Sequence, residues 1–191
     1  GPVSFDVAAG EILALVGLRG AGHEAIGRGI FGAEARRTGA VAIAGRTLPP
    51  GVGAAIEAGL GFVSGRRAEE AIAGTLAVRE NLFLNPDFLG VGGLGFRAAE
   101  RPAAAEAARR FGIAPPDPER LAATLSGGNQ QKIVVARWVE AESRVLILEE
   151  PTAGVDVGAK TEIYRVIAEL VAAGRGAILV SSDFEEVAGL A

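Results

Sequence analysis

The chain has 191 residues, 49% of them hydrophobic, which is enough for one α/β domain with a core of its own. A formal net charge of −4 leaves no basic footprint for nucleic acid, so no nucleic-acid partner is expected, and the lack of cysteine removes disulfides and thiolate metal sites. No apolar run reaches the roughly 18 residues of a spanning helix; the best stretch, residues 164–181, is interrupted by Arg165, Glu169 and Arg175.

Residues 11–16 (EILALV) form a continuous apolar run between glycines and are predicted as a buried strand. A glycine-rich turn over 17–22 leads into a predicted helix, 23–31, which Gly27 and Gly29 weaken by roughly 1 kcal/mol each relative to alanine. Residues 40–44 and 60–63 read as short strands, 45–53 as a Pro/Gly-marked connection and 52–58 as a weak helix. Helices are predicted over 77–83 and 100–111, followed by the breakers Pro115, Pro116 and Pro118, so that residues 75–123 read as a helical insert within one domain spanning 1–191. A helix over 127–140, a buried strand over 145–148, a helix over 157–172 and a strand over 177–180 complete the chain. Strands alternating with helices predict a mainly parallel sheet flanked by helices.

Three stretches carry chemistry. Gly17-Leu18-Arg19-Gly20-Ala21-Gly22-His23-Glu24 lies between a strand and a helix, where backbone N–H groups and a helix dipole suit phosphate. The phosphate-loop pattern is G-x-x-x-x-G-K-[ST]. Both glycines, 17 and 22, are in register, but His23 stands at the lysine position and Glu24 at the hydroxyl position. Glu149 and Glu150 end a buried strand, which places them at the carboxyl edge of the sheet, where open α/β sheets bind ligands. Ser126-Gly127-Gly128 opens a helix with a good N-cap, leaving N–H groups that attract anions.

The octapeptide Leu125-Ser126-Gly127-Gly128-Asn129-Gln130-Gln131-Lys132, followed by Val145-Leu146-Ile147-Leu148-Glu149-Glu150-Pro151-Thr152, resembles the signature motif and Walker B strand of the ATP-binding-cassette (ABC) ATPases. With Gly20-Ala21-Gly22, Arg79-Glu80-Asn81-Leu82, Gly154-Val155-Asp156-Val157-Gly158-Ala159-Lys160, Glu162-Ile163-Tyr164 and Ser181-Ser182, the whole chain resembles the second ATPase domain of tandem ABC proteins that drive bacterial monosaccharide import. The resemblance implies a P-loop NTPase-like fold and the cofactors ATP and Mg²⁺. It places Gly17, Arg19, Gly20, Gly22, His23 and Glu24 around the phosphates, with Glu149 and Glu24 at the metal positions. Glu150 falls at the water-polarising position, Ser182 where the family has its switch histidine, Gly65 near the family's Q-loop glutamine and Asp156 at the D-loop aspartate.

In such pairs Ser126, Gly127 and Gly128 close over ATP held by the partner domain's loop. The implied partners are therefore a second ABC ATPase domain, in the same polypeptide or a dimer, membrane permease subunits and, indirectly, a sugar-binding protein. The implied location is the cytoplasmic face of the cell membrane, peripherally. Members of the family begin with a further strand upstream and continue past Ala191 with a strand pair, and methionine is absent here, so the segment is expected to be part of a longer protein with its own loop impaired. The competing expectation is a non-hydrolysing ABC-fold binding or regulatory module.

Overall fold

The computed structural model describes residues 3–84 and 94–190, without the side chains of 94–97. Part of the helical insert read from the sequence, residues 85–93, therefore lies outside the described residues. The chain divides into two compact units. The first comprises Gly1–Val63, Ser143–Pro151 and Ile167–Ala191, and the second Ser64–Glu142 and Thr152–Val166.

The first unit holds a four-stranded parallel sheet in the order β1 (Ile12–Val16), β6 (Gly176–Ser181), β5 (Val145–Glu149), β4 (Leu60–Val63). Leu146, Ile147 and Leu148 of β5 and Ala177–Val180 of β6 are buried without alternation, as central strands of a covered parallel sheet must be. Helix α1 (His23–Phe31) packs on this pair of strands. A Cβ added at Gly27 would lie 3.0 Å from Cγ2 of Val180 and 3.4 Å from Cγ2 of Ile147, so the glycine that weakens the helix in isolation lets it lie close on the sheet. Gly32 ends α1 in the left-handed region at φ 82.

The stretch read as one strand and a connection is a two-residue hairpin. Strands β2 (Ala42–Ile43) and β3 (Arg46–Thr47) pair antiparallel across Ala44 (φ 49) and Gly45 (φ 77). Two successive positive φ values suit the right-handed twist of a hairpin. Helix α2 (Val52–Glu57) follows, and α7 (Phe184–Leu190), absent from the sequence reading, closes the chain with Asp183 Oδ1 accepting from Glu185 N at 2.9 Å.

The second unit is helical, built from α3 (Val78–Leu82), α4 (Leu94–Arg110), α5 (Gly127–Glu140) and the first part of α6 (Val157–Ala172). Helix α4 starts six residues before the predicted 100 and continues through Pro102. The Arg79-Glu80-Asn81 run is structural. Arg79 Nη1 donates to Glu100 Oε1 at 3.1 Å and its Nε to Glu119 Oε2 at 3.0 Å. Glu80 Oε2 accepts from Ala77 N at 2.8 Å. Fully buried Asn81 accepts from Ala73 N and donates to the carbonyls of Ala73, Leu76 and Ala77.

A Cβ at Gly32 would lie 2.7 Å from the backbone carbon of Gly51, whereas one at Gly39 (φ 91) meets nothing within 4 Å. Left-handed alanine costs about 1–2 kcal/mol and overpacking adds about 1–3 kcal/mol. Gly32→Ala is therefore expected to lose about 2–5 kcal/mol, and Gly39→Ala only the first part. Equilibrium urea unfolding of the two variants beside the parent measures the difference.

Candidate functional site

In the first unit, parallel register brings the ends of β1, β5 and β6 to one edge. Val16 pairs with Ser181 and Glu149 with Val180. Gly17 N donates to Ser181 O at 3.3 Å, and Glu150 N to Val180 O at 2.9 Å, holding Glu150 at φ 43, an uncommon conformation for a side-chain-bearing residue. Ser182 then meets Glu150: its N and Oγ both donate to Glu150 Oε1, at 2.7 and 2.6 Å. The structure thus joins the two residues that the sequence reading set at the water-polarising and switch positions.

The loop of residues 17–22 feeds α1 through Gly20 (φ 81) and Gly22 (φ 96), the latter capping the helix without any side-chain bond. Arg19 stands exposed in this loop. The His23 ring folds back on it: a Cβ at Gly17 would lie 3.0 Å from His23 Nδ1. His23 is 6% exposed, and neither ring nitrogen has a hydrogen-bond partner. One ligand atom each of His23, Glu24 and Glu150 lie within 4.8 Å of one another.

Glu149 is engaged otherwise. Its two carboxylate oxygens accept from Arg28, Oε2 from Nε at 2.8 Å and Oε1 from Nη2 at 2.7 Å, a bidentate pair with side chains 5% and 8% exposed. Arg28 also lies over the Phe62 ring at 5.7 Å, and Phe62 stacks on Phe31 at 5.1 Å. Of the two acids read as metal positions, Glu24 therefore belongs to the clustered trio and Glu149 to an ion pair. Arg28 was missed by sequence reading; its signal is an arginine between two glycines on a helix leaving the loop.

In the second unit, Ser126 caps α5. Its Oγ accepts from Asn129 N at 3.4 Å and from Asn129 Nδ2 at 2.9 Å. Asp156 does the same for α6, its Oδ1 accepting from Ala159 N at 2.9 Å. The two helix starts touch through glycines. A Cβ at Gly128 would lie 2.6 Å from the Ala159 Cβ and 3.4 Å from Asp156 Oδ2; one at Gly127 would lie 2.9 Å from Arg67 Nη2. Among the described residues the N–H groups of Gly127 and Gly128 have no partner, as expected for a helix start.

The rest of the octapeptide is tied inward. Asn129 Oδ1 accepts from Ala114 N at 2.9 Å, Gln130 Nε2 donates to Ala122 O at 3.1 Å, and Gln131 Oε1 accepts from Arg67 Nη1 at 3.3 Å. Lys132 Nζ donates to Gly112 O at 2.8 Å and pairs with Glu162. Burial lowers the Arg67 guanidinium from its ordinary value, and pushes that of Arg137, whose Nε donates to Asn81 O at 2.6 Å, down to about 10. Ser126 itself is exposed beside a depression of about 300 Å³ that Asp156, Gly158 and Glu162 also line.

A parallel sheet with a strand–glycine loop–helix at its carboxyl edge, two acids ending a neighbouring strand and a Ser-Gly-Gly-capped helix defines the class of P-loop NTPase-like α/β cassettes. The family model described as ABC transporter matches residues 1–153, and the chain belongs to that family. A protein of Agrobacterium fabrum, named for ribose/galactose/methyl galactoside import as an ATP-binding protein, is 46% identical over 191 residues, covering 98% of this chain and 38% of its own length. The ribose import ATP-binding protein RbsA 1 of Streptomyces avermitilis is 44% identical over 190 residues, covering 98% of this chain and 36% of its own. The chain thus spans less than two fifths of the length of these relatives. In fold it is similar to the dimeric cassette MJ0796 (TM-score 0.82, 19% identity, covering 97% of this chain and 80% of that one) and to cbiO1 of Clostridium perfringens (0.76, 20%, 97% and 72%).

Two substitutions test the buried contacts that hold these sites. Glu149→Gln takes the bidentate counter-charge from buried Arg28, with Glu34 at 4.0 Å from its Nε, and is expected to cost up to about 3–5 kcal/mol. Replacing both partners by methionine should recover most of that loss, as read from paired denaturation curves. Gly128→Ala is expected to push α5 from α6 and cost about 1–3 kcal/mol, measurable in the same way.

Proposed function

We propose that this chain is the signature-donating nucleotide-binding domain, the second of a tandem pair, of an ABC-type importer of ribose- or galactose-like sugars. The observation that carries the reading is the contrast between its two units: the Ser126-capped start of α5 is intact and presented, while the phosphate loop is unsuited to its own nucleotide.

The residues at that loop do not fit a magnesium triphosphate. The lysine is replaced by His23, whose ring packs on Gly17. Glu24 replaces the hydroxyl, and Glu149 is paired with Arg28. A like charge at about 4 Å from a phosphate is repelled by on the order of 4 kcal/mol gross near a surface, and Glu24 and Glu150 supply two such charges. No catalytic step is therefore assigned to this loop.

At α5 the chemistry fits. ATP seated on the partner domain's loop supplies the phosphoryl group and, with its magnesium ion, the reacting charge. Ser126 Oγ and the N–H groups of Gly127 and Gly128 offer donors to its terminal phosphate, and the helix dipole adds about half a positive charge. Asp156 keeps α6 in place beside them. Such preorganised donors stabilise charge that develops in phosphoryl transfer without having to reorganise. Among the described residues no helix is long and apolar enough to cross a membrane, which suits a peripheral domain driven against permease subunits on the cytoplasmic side, with a sugar-binding protein acting through them.

Ser126→Arg in the full-length protein is expected to lower ATP hydrolysis by on the order of 10² or more, the scale of losing aligned donors at a reacting oxyanion. Glu150→Gln should change it much less. Steady-state phosphate release from the two variants is the test, and the reverse ranking would overturn the assignment; unchanged hydrolysis in both would favour a binding or regulatory module.

A further inference from the structure

The loop's loss of its lysine leaves His23 without an explanation. Its imidazole is 94% buried by the 6% exposure of the residue, and both ring nitrogens lack partners. A buried polar group left unsatisfied is destabilising, so a histidine there without a ligand is unfavourable. Two carboxylates also meet here, and like charges so close repel each other: Glu24 and Glu150 offer oxygens within 4.8 Å of one another and of the ring nitrogen.

A cation relieves both costs at once. We propose that His23, Glu24 and Glu150 form a binding site for a divalent transition-metal ion of the zinc class, independent of nucleotide. The three donors are one imidazole nitrogen and two carboxylate oxygens, a set that suits zinc-like ions and leaves a coordination position open. Magnesium, which prefers six oxygen ligands and keeps its waters, is disfavoured by the nitrogen.

Geometry allows it. Ligand bonds of about 2.0–2.2 Å at tetrahedral angles set donor atoms about 3.4 Å apart, so the trio, within 4.8 Å, closes by at most roughly 1.4 Å per pair. His23 and Glu24 are adjacent at the start of α1, on a loop that ends in Gly22, and Glu150 is fixed by Ser182 through Oε1. No hydrogen bond among the described residues reaches Glu150 Oε2. Ser182, donating twice to Oε1, therefore orients the carboxylate for the ion.

Charge decides the sign. The N-terminus of α1 contributes about +0.5, against −2 from the two carboxylates, so the cluster is net negative by about 1.5 charges. The Arg28 guanidinium is engaged with Glu149.

The test uses the full-length protein, stripped by chelator and titrated with Zn²⁺, then with Co²⁺, in the absence of nucleotide. The parent is expected to bind one more ion per chain than His23→Gln, and Co²⁺ to show visible d–d bands that His23→Gln loses. Glu24→Gln and Ser182→Ala should each weaken the ion by at least about tenfold, and millimolar Mg²⁺ should leave the bands in place. Circular dichroism reports whether His23→Gln folds; if it does not, Glu24→Gln, a half-exposed isostere, decides. Unchanged stoichiometry and affinity in the folded variants, or displacement by Mg²⁺, would overturn the site. Because metal alone is read, that failure leaves the role of Ser126 untouched.

Discussion

The buried pair between Arg28 and Glu149 is the constraint on which the first unit's site depends. A carboxylate and a guanidinium, both almost fully withdrawn from water, are stable only with near-ideal geometry, and the two bonds of 2.7 and 2.8 Å supply it. The bond joins the second turn of α1 to the last residue of β5. It thereby fixes the residues on either side: the glycine loop that runs into α1, and Glu150, which leaves β5 at a positive φ. Removing the strand-end acid from solvent chemistry also changes what the edge of the sheet can do. One of the two acids becomes part of the scaffold, and only the other faces the loop.

The second unit depends on a different constraint, backbone proximity. Gly128 stands where any side chain would collide with Ala159, and Gly127 where it would meet the Arg67 guanidinium. Small residues at these positions let the starts of α5 and α6 lie side by side, each capped by its own oxygen. Two helix dipoles then point their positive ends from one patch. The rest of the octapeptide, Asn129 to Lys132, is consumed in holding α5 against neighbouring loops, while Ser126 at its start stays exposed.

Much of this was legible in the sequence, for identifiable reasons. The apolar runs 11–16 and 145–148 have no alternation, and strands buried on both faces leave that pattern; the caps at Ser126 and the glycine at 22 mark helix starts. The hairpin of β2 and β3 was hidden because two-residue strands carry no period and Ala44 gives no hint of a left-handed residue. Helix α4 was read too short because glycine and proline near its start argue against a helix that packing sustains. The pairing of Arg28 with Glu149 could not be read at all, since it joins residues 121 apart in sequence, and only the register of a folded sheet brings them together.

The departures in the phosphate loop look like losses when each is taken alone, but their charges add in one direction. A lysine and a hydroxyl at positions 23 and 24 would give a cradle of positive charge over oriented N–H groups. Histidine and glutamate there remove one positive charge and add one negative, a swing of two units beside Glu150. A swing of that size exceeds the half charge that the start of α1 contributes, so the helix dipole no longer sets the sign of the site. The same loop geometry that would hold an anion then favours a cation, with an imidazole already buried to receive it. On this reading the two units of the domain have separated two tasks, contact with a phosphate at α5 and retention of a metal at α1, and neither requires nucleotide bound to the chain's own loop.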